Sequence, residues 1–356
     1  MNTSTIVDQS AEVLLAIPLA EPERLFTADQ EQARREFRVL AGTWHPDRCT
    51  QPKATEVFQH LSRLYEAAMR KLRDGVWKIP GLLTLRACDG TEFRIHYRQE
   101  RAFELGQMFI GDQIVAYVVG KEYNDLFQNA LDIIACLPCA DPRMAREIGR
   151  YLPEVVRHFE TRNHQVLVLR KTPDLLLLRD VLDYFAGQLD GRHVAWIISS
   201  LLNLACYLDY ARLAHNAILV DTFFISPQQH NGALLGGWWY AVRQGASMRA
   251  APTTTVEYAP FAVMARRLGN SRTDLELIRA VGRELLGDIT GIRLMRENVA
   301  PLPLLDWLAR PAAGSALDDY QTWQRQILPD SFGERRFTKL DLTSQDLYQD
   351  LYQDLH

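Results

Sequence analysis

The stretch FRVLAGTWHPDR, residues 37–48, carries the clearest structural signal in the sequence. It ends a longer run, residues 30–44, whose apolar side chains recur at the three- and four-residue spacing of one helix face. That face consists of Ala33, Phe37, Leu40, Ala41 and Trp44. Pro46 lacks the N–H that a helix interior needs, and it pushes His45 out of the helical region. The stretch therefore predicts an amphipathic helix that ends at the tripeptide His45-Pro46-Asp47.

A second amphipathic helix is predicted for TEVFQHLSRLYEAAMRKL, residues 55–72. Its apolar side chains are Phe58, Leu61, Leu64, Tyr65, Ala68 and Leu72. A short polar loop joins the two helices, so we expect them to pack as an antiparallel hairpin. Thr27 and Gln30 have the spacing of a capping box at the start of the first helix. Arg34, Arg35 and Arg38 fall outside the apolar face of the first helix and are expected to face water.

This pattern resembles the J-domain family over about residues 20–74. FRVLAGTWHPDR and FQHLSRLYEAA carry the resemblance. It implies that His45, Pro46 and Asp47 dock on a heat-shock protein 70 (DnaK-type) chaperone and stimulate its ATPase. It also implies that Arg34, Arg35, Arg38 and Arg48 steer the encounter, since basic side chains speed association with an acidic surface. The sequence departs from the family in its first helix, where ERLFT is short.

The composition and charge of the chain limit the classes of partner and the cellular compartment that are expected. The chain has 356 residues with a net charge of −4, which does not favour nucleic acid or anionic membranes as partners. No apolar run reaches the length of about 18 residues that a membrane span needs. The N-terminal apolar stretch has no basic residue before it, so we expect a cytoplasmic protein. The five cysteines include one CxxC, Cys136–Cys139, which we interpret as reduced thiols at a helix end rather than as a redox or zinc pair.

The chain beyond residue 75 begins with predicted strands. WKIPGLLTLRACDGTEFRIHYRQ, residues 77–99, indicates a β-hairpin with its turn at Asp89-Gly90. More strands follow, then a helix at YNDLFQNALDIIACL, a strand at HQVLVLRK and a long apolar helix at HVAWIISSLLNLACYLDYARLA. The rest of the chain is predicted to be mostly helical. Strands followed by helices favour an α+β arrangement over a parallel sheet.

This order resembles the protein kinase fold over about residues 90–325. LAHNAILVD stands where kinases carry the catalytic loop, ALLGGWW stands at the magnesium-binding motif, and EYAPF is similar to the end of the activation segment. Asp274 opens a helix as the structural aspartate of kinases does. The resemblance implies a two-lobed domain with a β-rich small lobe and a helical large lobe.

At the positions that the resemblance assigns to the kinase motifs, the residues required for phosphoryl transfer are missing. With His215 as the loop histidine, Ala217 stands in place of the catalytic aspartate and Thr222 in place of the metal-binding asparagine. There is no aspartate between Thr222 and Thr273. FELGQMFIGDQ lacks a glycine-rich phosphate loop, and Val118 occupies the expected lysine position, with Lys121 three residues later. We therefore expect a pseudokinase without a catalytic residue, metal or cofactor.

The predicted domains are an N-terminal extension, a J domain, a β-rich small lobe, a helical lobe and an acidic Leu/Tyr repeat tail. Their bounds are 1–19, 20–75, 76–188, 189–340 and 341–356. In the tail, Leu347, Leu351 and Leu355 would share one helix face, which suggests either a docking helix or a frayed end.

The predicted function is that of a co-chaperone whose kinase-like domain binds an unknown client protein. Two alternatives are an atypical kinase with a J-domain targeting module, in which Asp221 would act, and a structural assembly protein with a vestigial J domain.

Overall fold

A computed structural model describes residues 10–334 and 336–348. By its internal contacts, the chain divides into two compact units. Of the described residues, the first unit holds 10–100 and 159–166, and the second holds the rest. Among these residues, the structure contains no helix with the length and apolar character needed to cross a bilayer.

The first unit is built on two long helices. Its described elements are helix α1 (Ala11–Leu15), a 3-10 turn (Pro22–Arg24), helices α2 (Gln30–Thr43) and α3 (Ala54–Asp74), and strands β1 (Val76–Ile79), β2 (Leu82–Arg86) and β3 (Glu92–His96). The Phe37 ring stacks on that of Tyr65 at 4.3 Å, and the His45 ring meets that of Phe58 at 5.3 Å. The contact partner thus moves from Tyr65 back to Phe58 as the chain advances from Phe37 to His45. The two helices therefore run antiparallel.

The apolar faces of both helices are buried as predicted. Ala33, Leu40 and Trp44 of the first helix pack in one core with Leu61 and Leu64 of the second. The residues that recur at helical spacing thus form the contact between the two helices.

The predicted capping box at the start of α2 is wrong. Asp29 is the N-cap, and its side chain accepts a hydrogen bond from the Gln32 N–H at 2.8 Å. The Thr27 N–H donates instead to the buried Glu36 carboxylate at 3.0 Å. An aspartate is at least as good an N-cap as a threonine, and its position directly before Gln30 leaves Thr27 outside the helix.

The three strands that follow form a sheet of their own in the order β1-β2-β3, with antiparallel pairing. The turn at Asp89-Gly90 lies as predicted: Gly90 has a φ of 89°, and the Asp89 carboxylate accepts from the Thr91 N–H at 2.9 Å. By contacts this sheet groups with the helical hairpin, whereas the sequence prediction assigned residues 76–99 to the β-rich lobe.

Most of a five-stranded sheet lies in the second unit, in the order β4-β5-β6-β8-β7. Its strands are β4 (Gln99–Phe103), β5 (Gly106–Ile110), β6 (Ile114–Gly120), β7 (Val155–Glu160) and β8 (His164–Arg170). Between β6 and β7 come helices α4 (Asn124–Ala135) and α5 (Pro142–Ile148). Short strands follow: β9 (Leu176–Leu177), β10 (Leu213–Ala214), β11 (Phe223–Ser226), β12 (Asn231–Leu234) and β13 (Val242–Arg243).

The helical part of this unit surrounds one central helix. Its first two helices are α6 (Leu178–Tyr184) and α7 (Gly191–Tyr210). The later ones are α8 (Thr253–Tyr258), α9 (Phe261–Arg266), α10 (Ser271–Leu285), α11 (Ile292–Glu297), α12 (Leu302–Ala309), α13 (Ala316–Thr322), α14 (Leu328–Phe332) and α15 (Ser344–Leu347). The long helix α7 matches the predicted apolar helix and buries a side chain on every turn.

The predicted repeat helix of the tail does not extend through the described residues. Helix α15 ends at Leu347, and Tyr348 is extended, with φ −113° and ψ 114°. Leu351 and Leu355 lie outside the described residues. Tyr348 is buried instead in the second unit, where its hydroxyl donates to the Asp180 carboxylate at 2.8 Å and accepts from the Leu177 N–H at 3.1 Å.

Candidate functional sites

The loop after α2 holds its tripeptide in a hydrogen-bonded turn. The His45 carbonyl accepts from the N–H groups of Arg48 and Cys49 at 2.9 and 2.8 Å. The His45 Nδ1 accepts from the Asp47 N–H at 3.2 Å. Trp44, just before the turn, is buried and fixes where the loop leaves the helix. The Asp47 side chain therefore projects from a rigid turn, with 85% of its surface exposed.

The four predicted steering arginines do not all lie together. Arg38 and Arg48 line a shallow depression of about 430 Å³ with His45 and Asp47. Arg34 lines a different depression, with Arg70 and Arg73 of α3. Arg35 is exposed and lines neither depression. Within the described chain none of these four arginines forms an ion pair, so their charges face solvent.

The second candidate site is the loop that follows α7, around His215. The carboxylate of Asp274, in the first turn of α10, accepts from the N–H groups of His215 and Asn216, both at 2.8 Å. This confirms the predicted structural role of Asp274. Burial raises the pKa of Asp274 to about 7 and lowers the pKa of His215 to about 3. Ala217, where a catalytic aspartate would stand, is fully buried.

Thr222 holds this loop closed. Its hydroxyl donates to the Ala217 carbonyl at 2.7 Å and accepts from the Leu219 N–H at 3.0 Å. Asp221 next to it is occupied by an ion pair, because Arg179 binds its carboxylate with two N–H groups at 3.0 and 3.1 Å. Arg179 also binds Glu284 at 2.7 Å. The Thr222 hydroxyl is thus used within the loop, and the Asp221 carboxylate is held in an ion pair with Arg179 while its side chain stays half exposed.

Aromatic side chains fill the space between β6 and the loop after β12. The Trp239 ring lies 5.1 Å from that of Phe103 and 5.0 Å from that of Tyr117, measured between centroids. A Cβ atom added to Gly236 would lie 3.0 Å from the Tyr117 hydroxyl oxygen. A side chain at position 236, in the predicted magnesium-binding motif, would therefore lie in tight contact with Tyr117. We call Phe103, Tyr117 and Trp239 the aromatic plug.

Strand β6 is buried along most of its length. Tyr117 packs in the central core with Val115 and Val119, and Val118, which the resemblance places at the kinase-lysine position, is buried as well. A strand alternates its faces, so Tyr117 and Val118 point to opposite sides of the sheet. Burial raises the pKa of Tyr117, and its hydroxyl finds no partner among the described residues.

The phosphate loop is replaced by a tight turn between β4 and β5. The Gly120 N–H donates to the Leu105 carbonyl at 3.0 Å, which ties the turn to the end of β6. Gly106 has a φ of 156°, and a Cβ atom there would lie 2.0 Å from the Val118 carbonyl oxygen. This close approach leaves no loop that could wrap phosphate groups with backbone N–H donors.

An asparagine, not predicted from the sequence, holds helix α4 in place. The Asn129 amide donates to the carbonyls of Trp239 and Ala241 at 3.2 and 2.9 Å. The aromatic side chains of Trp238, Trp239 and Tyr240 next to these carbonyls are buried. Among the residues that the structure describes, no group of three or more histidine, cysteine, aspartate or glutamate side chains is placed to hold a metal ion.

The comparisons with known proteins bear on the fold of the second unit. No protein-family model matches the chain, and no curated protein matches it in sequence. Solved structures do match. One of them, titled "Structure of vaccinia related kinase 3", aligns with a TM-score of 0.51 at 15% identity. The alignment covers 71% of this chain and 92% of that one. The chain therefore contains a protein-kinase-like fold in which helices and strands are mixed.

Proposed function

We propose that this protein is a co-chaperone. In this proposal the hairpin of α2 and α3 acts as a J domain, recruits a DnaK-type heat-shock protein 70 and stimulates its ATPase. The kinase-like unit binds a client or partner protein and does not transfer phosphate. The observation that carries the proposal is the exposed Asp47 carboxylate, held on a fixed turn between two packed helices beside Arg38 and Arg48.

The proposed mechanism at the loop is competition for a charged group. An exposed carboxylate on a rigid turn loses little side-chain entropy on binding, and it forms strong hydrogen bonds to arginine. Asp47 would bind a cation that the chaperone otherwise uses in a contact between its own domains. Such a contact shifts a two-state equilibrium by as much as the differential affinity for the two states. Arg35 and Arg38 would raise the association rate.

The test is single-turnover ATP hydrolysis by a DnaK-type chaperone with and without this protein. We expect wild type to accelerate hydrolysis and Asp47→Asn to return it to the basal rate. Glu56→Gln, a change at an exposed carboxylate on α3, is the matched control and should keep full stimulation. Equal stimulation by wild type and Asp47→Asn would refute the co-chaperone mechanism and leave the structural-assembly alternative.

The role of the basic helix is tested separately. Arg35→Glu with Arg38→Glu should slow association with the chaperone by about tenfold and weaken its dependence on salt. The control pair is Arg63→Glu with Arg73→Glu, which reverses two exposed charges on α3. If both pairs slow association equally, net charge rather than the α2 face governs docking.

The absence of phosphoryl transfer is supported by the aromatic plug, by the ion-paired Asp221 and by Gly236 in the predicted metal-binding motif. Radiolabelled ATP with magnesium or manganese, the purified protein and generic acceptor proteins provide the test. We expect no incorporation above background. Incorporation that disappears in Asp221→Ala would instead support the atypical-kinase alternative.

A further inference from the structure

A groove on the helical part of the second unit has no role in the functions discussed so far. It has a volume of about 590 Å³ and is bordered by the segment between α8 and α9 and by helices α10, α11 and α12. Tyr258 and Pro260 form one side, and Leu305 and Leu308 of α12 contribute to the floor. The described tail does not border it. The groove is therefore open to an outside ligand.

Three arginines and one glutamate line this groove. Arg272 donates to the Ala312 carbonyl at 2.9 Å and has no ion-pair partner in the described chain. Arg283 donates to the carbonyls of Ile289 and Leu308 at 2.8 and 2.7 Å, again without a carboxylate.

The third arginine is only weakly compensated. Arg310 lies 3.8 Å from Asp306, at the limit of an ion pair, and both side chains are largely exposed. The one carboxylate that lines the groove belongs to Glu276, and it accepts the Ala312 N–H at 2.7 Å. Burial lowers the pKa of Arg283, although the carboxylates of Glu276 and Asp288 act in the opposite direction. The lining of the groove thus holds three arginines and one glutamate.

Its rim is apolar and faces solvent. Ile292 is 79% exposed and Met295 is 41% exposed, and both line the groove. Phe261, directly after Pro260, is 86% exposed. Large apolar side chains exposed side by side around a concave surface are typical of a protein interaction site. A free anion would use the arginines but not this rim.

We propose that this groove binds an acidic peptide segment of a partner protein, with carboxylates on Arg272 and Arg310 and a leucine or phenylalanine against Ile292 and Met295. Charge complementarity selects the class of partner, because the exposed guanidinium groups of Arg272 and Arg310 attract carboxylates and repel a basic segment. Nucleic acid is disfavoured by the net charge of −4 on the chain. The proposal rests on the partner-binding role of the kinase-like unit proposed above and defines its chemistry.

The experiment measures fluorescence anisotropy of the full-length protein with a fluorescein-labelled peptide of sequence EELFEDL. We expect saturable binding that weakens as salt is raised. The neutral peptide QQLFQNL should bind at least tenfold more weakly. Arg272→Glu with Arg310→Glu should also reduce affinity at least tenfold. The matched control, Arg266→Glu with Arg267→Glu, changes two exposed arginines outside the groove lining and should stay within twofold of wild type.

A second variant protects the test against misfolding of the arginine variant. Ile292→Ser removes an exposed apolar group and should weaken binding about fivefold. Leu317→Ser, at an exposed leucine on α13, is its control. Equal binding of the charged and neutral peptides, or no effect of both groove variants, would overturn the proposal.

Two further outcomes would also overturn it. Tighter binding of a peptide with the sequence of residues 343–356 would assign the groove to this chain's own tail. Self-association that Ile292→Ser abolishes would assign it to a second copy. No chaperone enters these assays, so their failure is separate from failure of the ATPase test.

Discussion

The loop at residues 45–48 and the loop around Gly236 both stand where the sequence resembles a functional motif. They differ in the exposure of their side chains. At the first loop, Asp47, Arg38 and Arg48 face water, whereas Leu40 and Trp44, which precede the loop, are buried in the core. In the second, Ala217 is buried and Phe103, Tyr117 and Trp239 pack where polar and charged groups would be needed.

This difference separates two uses of a sequence motif. Under the proposed function, the loop at residues 45–48 keeps its charged groups hydrated until a partner binds, so these groups contribute little to stability. The aromatic rings around Gly236 are buried, and their buried area stabilises the fold. Substitutions in the second region should therefore change the free energy of unfolding, and those in the first should change recognition alone.

The largest effect is expected at the centre of the plug. Trp239→Ala removes a buried ring that contacts both other plug residues, and it should lower the free energy of unfolding by about 3–5 kcal/mol. Urea unfolding followed by near-ultraviolet circular dichroism measures the change. Tyr210→Ala, at a half-exposed aromatic on α7, is the control and should cost much less. A small loss for Trp239→Ala would mean that the rings do not fill the cleft in solution.

The next effect concerns pH. The folded-state pKa of His215 is about 3, below its value of 6.5 when unfolded, so its contribution to stability is lost as pH falls through 6.5. The folded-state pKa of Asp274 is about 7, above 3.8, so its contribution grows as pH falls below 7. Between pH 7 and pH 5 each contribution changes by about 2 kcal/mol, in opposite directions.

The two terms should therefore nearly cancel in wild type, and His215→Phe should expose the aspartate term. We expect this variant to gain about 2 kcal/mol between pH 7 and pH 5 relative to the wild-type change. The measured quantity is the difference in unfolding free energy between the two pH values for each protein, which removes any cost of the substitution itself. Parallel pH profiles for the two proteins would show that His215 is not held neutral by burial.

A smaller effect is expected where the tail enters the second unit. Tyr348→Phe removes the hydroxyl that pairs with Asp180 and leaves the Leu177 N–H without an acceptor, at a cost of about 1–2 kcal/mol. Thermal unfolding should show the loss. Tyr210→Phe removes a hydroxyl from an exposed ring and should leave the melting temperature unchanged. A stable Tyr348→Phe variant would indicate that water replaces the hydroxyl.

The smallest effect on stability is expected at the loop of residues 45–48. Asp47→Asn should change the free energy of unfolding by less than about 0.5 kcal/mol, because the side chain is exposed and its carboxylate has only a long contact, 3.7 Å, with the His45 Nδ1. The same unfolding assay applies. A loss comparable to that of Trp239→Ala would mean that the carboxylate is part of the fold and would remove the contrast between the two regions.

The sequence was informative wherever a period or a fixed spacing determined the structure. The apolar period predicted α2 and α3, and the resemblance to kinases marked Asp274 as a structural aspartate that opens a helix. Motif spacing alone places Val118 at the kinase-lysine position, and spacing does not tell which face of a fully buried strand points inward. The capping spacing predicts Thr27, whereas Asp29, two residues later, is the N-cap.

Other features depend on contacts between distant residues, which a single sequence does not encode locally. Asn129 donates to carbonyls more than a hundred positions away. Tyr348 reaches Asp180 across 168 positions. The groove lined by Arg272, Arg283 and Arg310 is formed by residues of α8, α10, α11 and α12 and of the adjoining segments. No local sequence pattern marks it, because it exists only when these helices pack together.

The tight turn at Glu104 and Leu105, together with the plug behind it, has a pharmacological consequence. Compounds built to compete with ATP need a slot for a flat heterocycle and room beneath a pliable loop. In the proposed pseudokinase, the rings of Phe103, Tyr117 and Trp239 would take up that room. We expect broad-spectrum kinase inhibitors to leave the purified protein unligated at concentrations that saturate active kinases.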